Sequence, residues 1–334
     1  MCFVAYYIKM REEENTMGLE VKDLSKKYGE KTVVDHVSFT MEKPGVYALL
    51  GTNGAGKTTS IRMILDMLDK DSGEVLWNGA PLSFSNCNIG YLAEERGLYQ
   101  KYPLMDQIMY FGRLRGVKDE ELKRKIKYWS DRLNLDEYLY PAETKDARGR
   151  VKKVKPKSPD QLSKGNQQKV QFLIAMLSDP ELLVLDEPFS GLDPVNTDIL
   201  KDVVREQIAA GKYIIMSSHQ MAAVEEFCTD ITIMSRSKAL VQGNLNEIKK
   251  GYGRVNLSLK CEQDVRSFIE ELEIQILSEK ENEYELRVTG EQQANALLWN
   301  LVHATIPVIR FDLSELSLHE IFVKEVGAYE EEQQ

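Results

Sequence analysis

The sequence predicts an α/β fold built around a phosphate-binding loop, followed by a smaller α+β unit. Three observations support this prediction. A glycine-rich loop at residues 51–58 stands between a short apolar run and a segment of helical composition. A second apolar run ends in two carboxylates, Asp186 and Glu187. Beyond residue 250 the pattern becomes strand, helix, strand, strand, helix, strand, which is typical of a ferredoxin-like unit.

The glycine-rich loop contains the phosphate-binding pattern G-x-x-x-x-G-K-[ST]. Its candidate nucleotide-binding residues are Gly51, Thr52, Asn53, Gly54, Ala55, Gly56, Lys57, Thr58 and Thr59. The run 46–50 before it predicts a buried strand, and residues 60–68 after it predict a helix. Glycines allow backbone N–H groups to wrap a polyphosphate, and the helix start adds partial positive charge. Lys57 can reach the β- and γ-phosphates, and the Thr58 hydroxyl can bind Mg²⁺.

The apolar run at residues 182–185 predicts a buried parallel strand. The acidic residues that follow it lie where open α/β sheets bind their ligands. Asp186 can bind Mg²⁺, directly or through water, and Glu187 can take a proton from an attacking water molecule. Alone, the pattern fits a solvated acidic turn equally well. The phosphate loop upstream favours the catalytic interpretation.

A second candidate anion site begins at Ser163, which is a good N-cap for the helix predicted after it. Gly165 in the first turn allows close approach of an anion to the backbone. A further apolar run, residues 214–218, ends at His219. A lone histidine is usually structural or simply exposed. Here it follows a strand of the same predicted sheet, so a contact with the γ-phosphate is favoured.

With these motifs in this order, residues 19–245 resemble the ATPase subunit of an ATP-binding-cassette (ABC) transporter. The resemblance implies ATP and Mg²⁺ as cofactors. It also implies that Tyr28 stacks on adenine and that residues 162–168 form the signature loop, with Ser163, Gly165 and Asn166 contacting ATP. Residues 190–193 correspond to the D-loop, and His219 corresponds to the switch histidine. Because the signature of one subunit closes over ATP in another, hydrolysis is expected between two chains.

Two positions depart from the commonest pattern of the family. Lys164 and Asn166 replace the third and fifth residues of the signature, and Glu94 stands where the family usually has glutamine. A carboxylate at position 94 can still bind Mg²⁺ or water, so Glu94 is both a catalytic and a metal-binding candidate. These departures resemble an ABC-2-type exporter branch with sodium-efflux and drug-resistance members. The chain is therefore predicted to hydrolyse ATP and power such an exporter; the alternative is a regulatory or non-transport ABC ATPase with weak hydrolysis.

Composition limits the partners. The 334-residue chain has a formal net charge of −10, which argues against nucleic acid. No apolar run approaches the roughly 18 residues needed to span a bilayer, so transport requires a separate integral-membrane permease. The ATPase partner is expected to be a second copy or a paralogous subunit. Four scattered cysteines favour the cytoplasm, and we expect peripheral attachment to the inner face of the cell membrane.

The expected organisation places a small accessory domain after the ATPase domain. The predicted parts are an N-terminal extension (1–16), the ABC ATPase domain (17–248) with a helical subdomain at about 103–161, the accessory C-terminal domain (249–327) and an acidic tail (328–334). The basic segment 144–159 is longer than the resemblance implies and is predicted to be an inserted, solvated loop. The transported substrate is not predicted, because the permease selects it.

Overall fold

The computed structural model describes residues 18–95, 97–140, 144–145, 151–152 and 157–332. The predicted N-terminal extension and most of the basic segment lie outside this range. The chain divides into two compact units between Gln242 and Gly243. Among the described helices, none combines the length and the apolar character needed to cross a membrane.

A ten-stranded sheet forms the framework of the first unit, in the order β5-β4-β1-β2-β12-β11-β3-β10-β9-β6. Its strands are β1 (Leu19–Tyr28), β2 (Lys31–Met41), β3 (Gly45–Gly51), β4 (Ser72–Trp77), β5 (Ala80–Pro81), β6 (Ile89–Leu92), β9 (Leu182–Asp186), β10 (Tyr213–Ser218), β11 (Asp230–Ser235) and β12 (Lys238–Asn244). The two remaining strands of this unit, β7 (Thr144–Lys145) and β8 (Val151–Lys152), pair only with each other.

The strands β11, β3, β10, β9 and β6 run parallel to one another. Every residue of β3 and β9 is buried, as expected for parallel strands covered on both faces. Because parallel strands end at the same edge, β3, β9 and β10 deliver the residues that follow them to one place.

Seven helices of the first unit are described: α1 (Lys57–Ile64), α2 (Leu104–Leu114), α3 (Asp119–Arg132), α4 (Asp136–Leu139), α5 (Lys164–Met176), α6 (Pro194–Ala209) and α7 (Met221–Glu225). In α2 and α3 the buried apolar residues follow the predicted spacing, as Ile108 and Ile126 illustrate. The helices approach closely at Gly112, where an added Cβ would lie 2.3 Å from the Leu122 side chain.

The basic segment differs in part from the loop that was predicted. The strands β7 and β8 form a short antiparallel ladder within it, while residues 146–150 and 153–156 lie outside the described range. Two backbone hydrogen bonds attach the end of the basic segment to the helical subdomain. The Lys157 N–H donates to the Tyr138 carbonyl over 3.1 Å, and the Leu104 N–H donates to the Lys157 carbonyl over 2.9 Å. A 3₁₀ helix (Pro159–Gln161) then leads into α5.

The second unit is ferredoxin-like, as predicted. Its sheet contains β13 (Arg254–Cys261), β14 (Gln275–Lys280), β15 (Glu283–Arg287) and β16 (Val308–Glu315), and its helices include α9 (Arg266–Glu271) and α10 (Glu291–His303). The sheet order is β14-β15-β13-β16, with all neighbours antiparallel. Leu257, Leu259 and the α10 residues Leu297 and Leu301 are buried in one core.

The limits of the second unit differ from the predicted residues 249 and 327, as two helices show. The helix α8 (Leu245–Tyr252) belongs to the second unit, so the division falls before the predicted residue 248. Its Tyr252 hydroxyl donates to Glu325 Oε1 over 2.7 Å. Glu325 lies on α11 (Leu318–Glu332), which continues through most of the predicted acidic tail. Contacts within the second unit, rather than local composition, therefore determine both limits.

Removing the second unit should leave nucleotide binding intact, since every candidate site residue precedes residue 220. We expect a chain that ends at Asn246, which retains all of β12, to fold and to bind ATP with the affinity of the full chain. Circular dichroism and an ATP titration would check this. A truncated chain that is folded but does not bind ATP would show that part of the site has been misplaced.

Candidate functional site

A cleft of about 350 Å³ opens beside the phosphate loop. Its described lining residues are Lys31, Val33, Asn53, Gly54, Gly56, Lys57, Thr58, Thr59, Glu94 and Glu187. They come from β2, from the loop after β3 and the first turn of α1, and from the segments that follow β6 and β9. The parallel sheet therefore gathers residues that are far apart in sequence.

The loop conformation requires glycine at two positions. Gly54 has a φ of 81° and Gly56 a φ of 107°, in the left-handed region that disfavours residues with a Cβ. A Cβ at Gly56 would also lie 2.5 Å from the Val33 carbonyl oxygen. The Ser60 N–H donates to the Gly56 carbonyl over 2.8 Å, so α1 begins directly from the turn. Its free N–H groups face the end of the loop, an arrangement that suits an anion.

Lys57 lies inside the loop, with its side chain only 6% exposed. Its Nζ donates to the carbonyls of Gly51 over 2.8 Å and Thr52 over 3.2 Å. The same ammonium lies 3.5 Å from Glu187 Oε1, and the Glu187 side chain is also buried. This pair joins the phosphate loop to the acidic end of β9.

Asp186 is held by two hydroxyl groups. Ser217 on β10, its register partner in the parallel ladder, donates to Oδ1, and Thr58 Oγ1 donates to the same oxygen over 3.3 Å. The other oxygen, Oδ2, is buried without a hydrogen-bond partner among the described residues. Burial raises the pKa of Asp186, the two hydroxyl groups oppose that rise, and the nearby carboxylates of Glu94 and Glu187 add to it.

An unpartnered buried carboxylate oxygen beside a threonine hydroxyl fits a divalent cation, since Mg²⁺ prefers oxygen ligands. In the described part of the chain, no group of three His, Cys, Asp or Glu side chains could hold a metal by themselves. A cation at Asp186 would therefore have to share its coordination with phosphate oxygens and water, which is how Mg²⁺ usually binds with nucleotides.

Glu187 stands just beyond β9 in a left-handed conformation, with a φ of 50°. For a residue with a side chain this conformation is uncommon, and such strain concentrates at functional sites. The backbone N–H of Glu187 donates to Ser217 Oγ over 3.0 Å, which holds the turn. The Oε2 atom of Glu187 lies 2.8 Å from Nδ1 of His219. Glu187 thus bridges Lys57 and His219, and the His219 side chain is 46% exposed on the outer side of this bridge.

Glu94 lines the cleft, whereas Tyr28 is not among its described lining residues. Glu94 follows β6 and contributes to the lining. The next carbonyl, that of Glu95, accepts a long hydrogen bond of 3.4 Å from Gln171 on α5. Tyr28 ends β1 with 55% of its surface exposed, and Lys26 Nζ lies 5.8 Å from its ring centroid. It is not among the described lining residues.

The three signature residues Ser163, Gly165 and Asn166 stand at the start of α5. Ser163 is the N-cap, and its Oγ accepts from the Asn166 N–H over 3.2 Å. The Asn166 side chain donates to the Tyr138 hydroxyl over 2.9 Å. None of the three is among the described residues that line the cleft. Within one chain, the signature residues therefore do not contribute to the described lining of the cleft.

Sequence reasoning missed three residues of the site. Lys31 and Val33 line the cleft from β2, and Ser217 bonds both Asp186 and Glu187. A signal existed for Ser217, because it lies in the apolar run that ends at His219 and its hydroxyl interrupts that run. No comparable signal marked Lys31 or Val33, which reach the cleft through the turn after β1.

Two protein families match this chain. Residues 34–190 match the ABC transporter family, and residues 243–326 match the family described as ATP-binding protein DrrA1-3-like, C-terminal domain. The ABC transporter ATP-binding protein YhaQ of Bacillus subtilis is 38% identical over 93% of this chain and 99% of its own length. Nod factor export ATP-binding protein I of Sinorhizobium fredii is 29% identical over 70% of this chain and 65% of its own.

A solved structure described as the ATP-binding subunit of an ABC transporter has a TM-score of 0.60 and 29% identity, covering 70% of this chain and 92% of that one. It supports the α/β fold of the first unit. The near full-length match to YhaQ includes both units. The chain therefore belongs to the ABC transporter ATP-binding proteins, the ATPase subunits whose hydrolysis of ATP drives transport.

Proposed function

We propose that two copies of this chain, or one copy and a paralogous subunit, bind ATP between them and hydrolyse it. The observation that supports this is the separation of the two candidate anion sites. The cleft gathers Lys57, Thr58, Asp186 and Glu187, whereas the signature residues of the same chain are not among its described lining residues. A second chain placed head to tail would bring its signature residues to this cleft and complete the site.

ATP would compete with Glu187 for the lysine. Phosphate oxygens form short, charge-assisted hydrogen bonds with an ammonium, so an entering γ-phosphate would draw Lys57 from its present carbonyl and carboxylate partners. The loop N–H groups and the start of α1 would bind the β-phosphate. Tyr28, exposed at the end of β1, would stack on the adenine. ATP binding therefore releases the Glu187 carboxylate for chemistry.

Thr58 and Asp186 are the residues that would hold Mg²⁺, with Glu94 as a further carboxylate that acts directly or through water. Bound there, the ion would supply positive charge to the β- and γ-phosphate oxygens. The buried and unpartnered Oδ2 of Asp186 supports this assignment.

Glu187 would act as the general base. As water attacks the γ-phosphorus, Glu187 takes its proton, a new O–P bond forms, and the bond from the γ-phosphorus to the bridging oxygen breaks to release ADP. His219 lies within hydrogen-bond distance of this carboxylate and would contact the γ-phosphate. The second copy's signature residues would add donors from the start of α5, stabilising negative charge that moves during the reaction.

Opening and closing of this dimer would do mechanical work on a separate integral-membrane permease, with the helical subdomain as the contact. We propose an exporter of the ABC-2 type and a peripheral position on the cytoplasmic face of the membrane. Two matches support this: the DrrA-like C-terminal unit and the export role in the name of the Nod factor relative. The alternative of a weakly hydrolysing regulatory ATPase is not favoured, since the lysine, the acidic pair and the histidine are all in place.

Replacing the base should separate binding from hydrolysis. We expect Glu187→Gln to retain ATP binding while hydrolysis slows by about 10²-fold or more, the usual effect of losing a general base. The ATP-bound dimer should then accumulate and be visible by analytical ultracentrifugation. Glu271→Gln, at an exposed position on α9, is the matched control and should behave as wild type. Near-normal turnover in Glu187→Gln would refute the assignment of the base.

Removing the lysine should instead weaken binding. Lys57→Ala deletes a charge contact with phosphate and leaves Glu187 without its cationic partner, so ATP affinity should fall in a calorimetric titration. Lys43→Ala, at an exposed position between β2 and β3, controls for loss of a positive charge. Unchanged ATP affinity in Lys57→Ala would contradict the proposed role of the loop.

A further inference from the structure

The strand β16 is an edge of the ferredoxin-like sheet. It pairs with β13 on one side, no described strand pairs with its other side, and helix α8 contacts it. An edge strand presents backbone N–H and C=O groups that can pair with another chain. The opposite edge, β14, is exposed at five of its six positions and ends in the charged residues Glu279 and Lys280, which discourages pairing. The β16 edge also carries charged residues and a bulge, but it combines them with partly exposed apolar residues.

An apolar strip runs along β16 on the helical side of the sheet. Phe311 and Leu313 pack against the core but remain partly exposed, and Ile309, at a bulge in the ladder, is 58% exposed. Val302 on α10 adds to the strip and is 59% exposed. An apolar strip beside an unpaired strand indicates an interaction surface.

The position of Val302 beside β16 follows from the orientation of α10. Gln293 donates to the Leu272 carbonyl over 2.8 Å, so the flank of α10 that carries Gln293 faces the end of α9. With about 100° of rotation per residue, Leu298 and Val302 lie on the opposite flank. That flank borders β16, which α10 also contacts.

The sequence of β16 is self-complementary in one antiparallel register. In an antiparallel pair, directly opposite residues point to the same face of the sheet. If two copies of β16 are related by a two-fold axis perpendicular to the sheet, one residue must therefore lie opposite its own copy, and the axis passes between the two. An axis at Phe311 places Arg310 of each copy opposite Asp312 of the other. An axis at Arg310 or at Asp312 would instead place like charges together, which is destabilising. Only the axis at Phe311 pairs Arg310 with Asp312, so the pattern of charges favours this register.

The two charged residues are available for this pairing. The Asp312 carboxylate is exposed and forms no hydrogen bond or ion pair with any residue in the described ranges. Arg310 donates to Glu283 through Nη2 and lies 3.9 Å from Glu285, and a guanidinium has five N–H donors. These partners lie on β15, inward of β16, so pairing with a second copy requires Arg310 to exchange them for Asp312 of that copy.

We propose that two copies of this chain pair through β16 about Phe311 and join their four-stranded sheets into one of eight strands. Both α10 helices then lie on the same side of the seam, and the apolar strips on their flanks are buried against each other. This contact requires no nucleotide. Its role rests on the proposed function: it would keep the two ATPase units close while the ATP-bound interface opens, so that closure occurs at high effective concentration.

The first test measures the oligomeric state of the full chain without nucleotide and with a chelator, by sedimentation equilibrium. The wild type should be dimeric at micromolar concentration. Asp312→Arg places arginine opposite arginine and should raise the dimer dissociation constant by about tenfold or more, since both symmetric pairs are lost. The double variant Arg310→Asp with Asp312→Arg exchanges the charges across the seam and should bring the dissociation constant below that of Asp312→Arg, without reaching the wild-type value because the contact of Arg310 with Glu283 is lost. Glu271→Arg controls for the change in net charge.

A cross-linking experiment tests the register independently of dimer strength. In a background with Cys2 replaced by serine, Arg310→Cys and Asp312→Cys chains carrying different tags are co-expressed and oxidised. The other three cysteines are buried. Opposite residues have Cα atoms about 5 Å apart, within disulfide range, so the mixed pair should cross-link. Arg310→Cys alone should not, because its two copies would be about 8 Å apart.

These outcomes separate the pairing from the catalytic dimer. A wild-type chain that is monomeric without nucleotide, a dimer unaffected by Asp312→Arg, or the absence of the mixed cross-link would each overturn the proposal. Asp312→Arg combined with Glu187→Gln should still dimerise when ATP is added. If Glu187→Gln alone gave no ATP-dependent closure while the nucleotide-free dimer persisted, the proposed function would fail and the β16 pairing would stand.

Discussion

The site depends on one buried carboxylate, that of Glu187, held between the lysine of the phosphate loop and a histidine at the end of a neighbouring strand. A buried charge is costly unless it is paired, so Glu187 must always have a cationic or hydrogen-bonding partner. Lys57 is such a partner in the arrangement described here. In the proposed mechanism phosphate takes the lysine, and the carboxylate keeps its contact with His219 and becomes available to water. This exchange would link the arrival of ATP to the availability of the base.

The parallel sheet makes that exchange possible. Its five central strands end at one edge, and Ser217 on β10 bonds both the Asp186 carboxylate and the Glu187 backbone. The left-handed conformation of Glu187 directs its carboxylate toward the lysine rather than along the strand. The signature residues at the start of α5 are not among the described residues that line the cleft. In the proposed function a second chain completes the site, and two kinds of contact would serve it: a transient one through ATP and a lasting one through β16.

The sequence predicted the fold, and it named several of the residues that the structure brings together at the cleft, for physical reasons that can be stated. Buried parallel strands appear as uninterrupted apolar runs, so β3 and β9 were recognisable, and the ferredoxin-like unit was recognisable from its alternating pattern. The Lys57–Glu187 pair was not predicted, because spacing along the chain does not report which side chains meet across a sheet. Lys31 was missed for the same reason. The predicted boundary at residue 248 falls within helix α8, because composition does not report the tertiary contact of Tyr252 with Glu325.

The claim that a complete site needs two chains is tested most directly by combining two defects. Lys57→Ala disables the phosphate loop. Ser163→Asp retains a good N-cap for α5 but places negative charge where the γ-phosphate of the other chain would lie. In a heterodimer purified through two tags, the symmetry of the interface puts both defects in one site and leaves the other intact. The account predicts that the heterodimer hydrolyses ATP while both homodimers are inactive. A heterodimer as inactive as the homodimers, or an active Ser163→Asp homodimer, would contradict it.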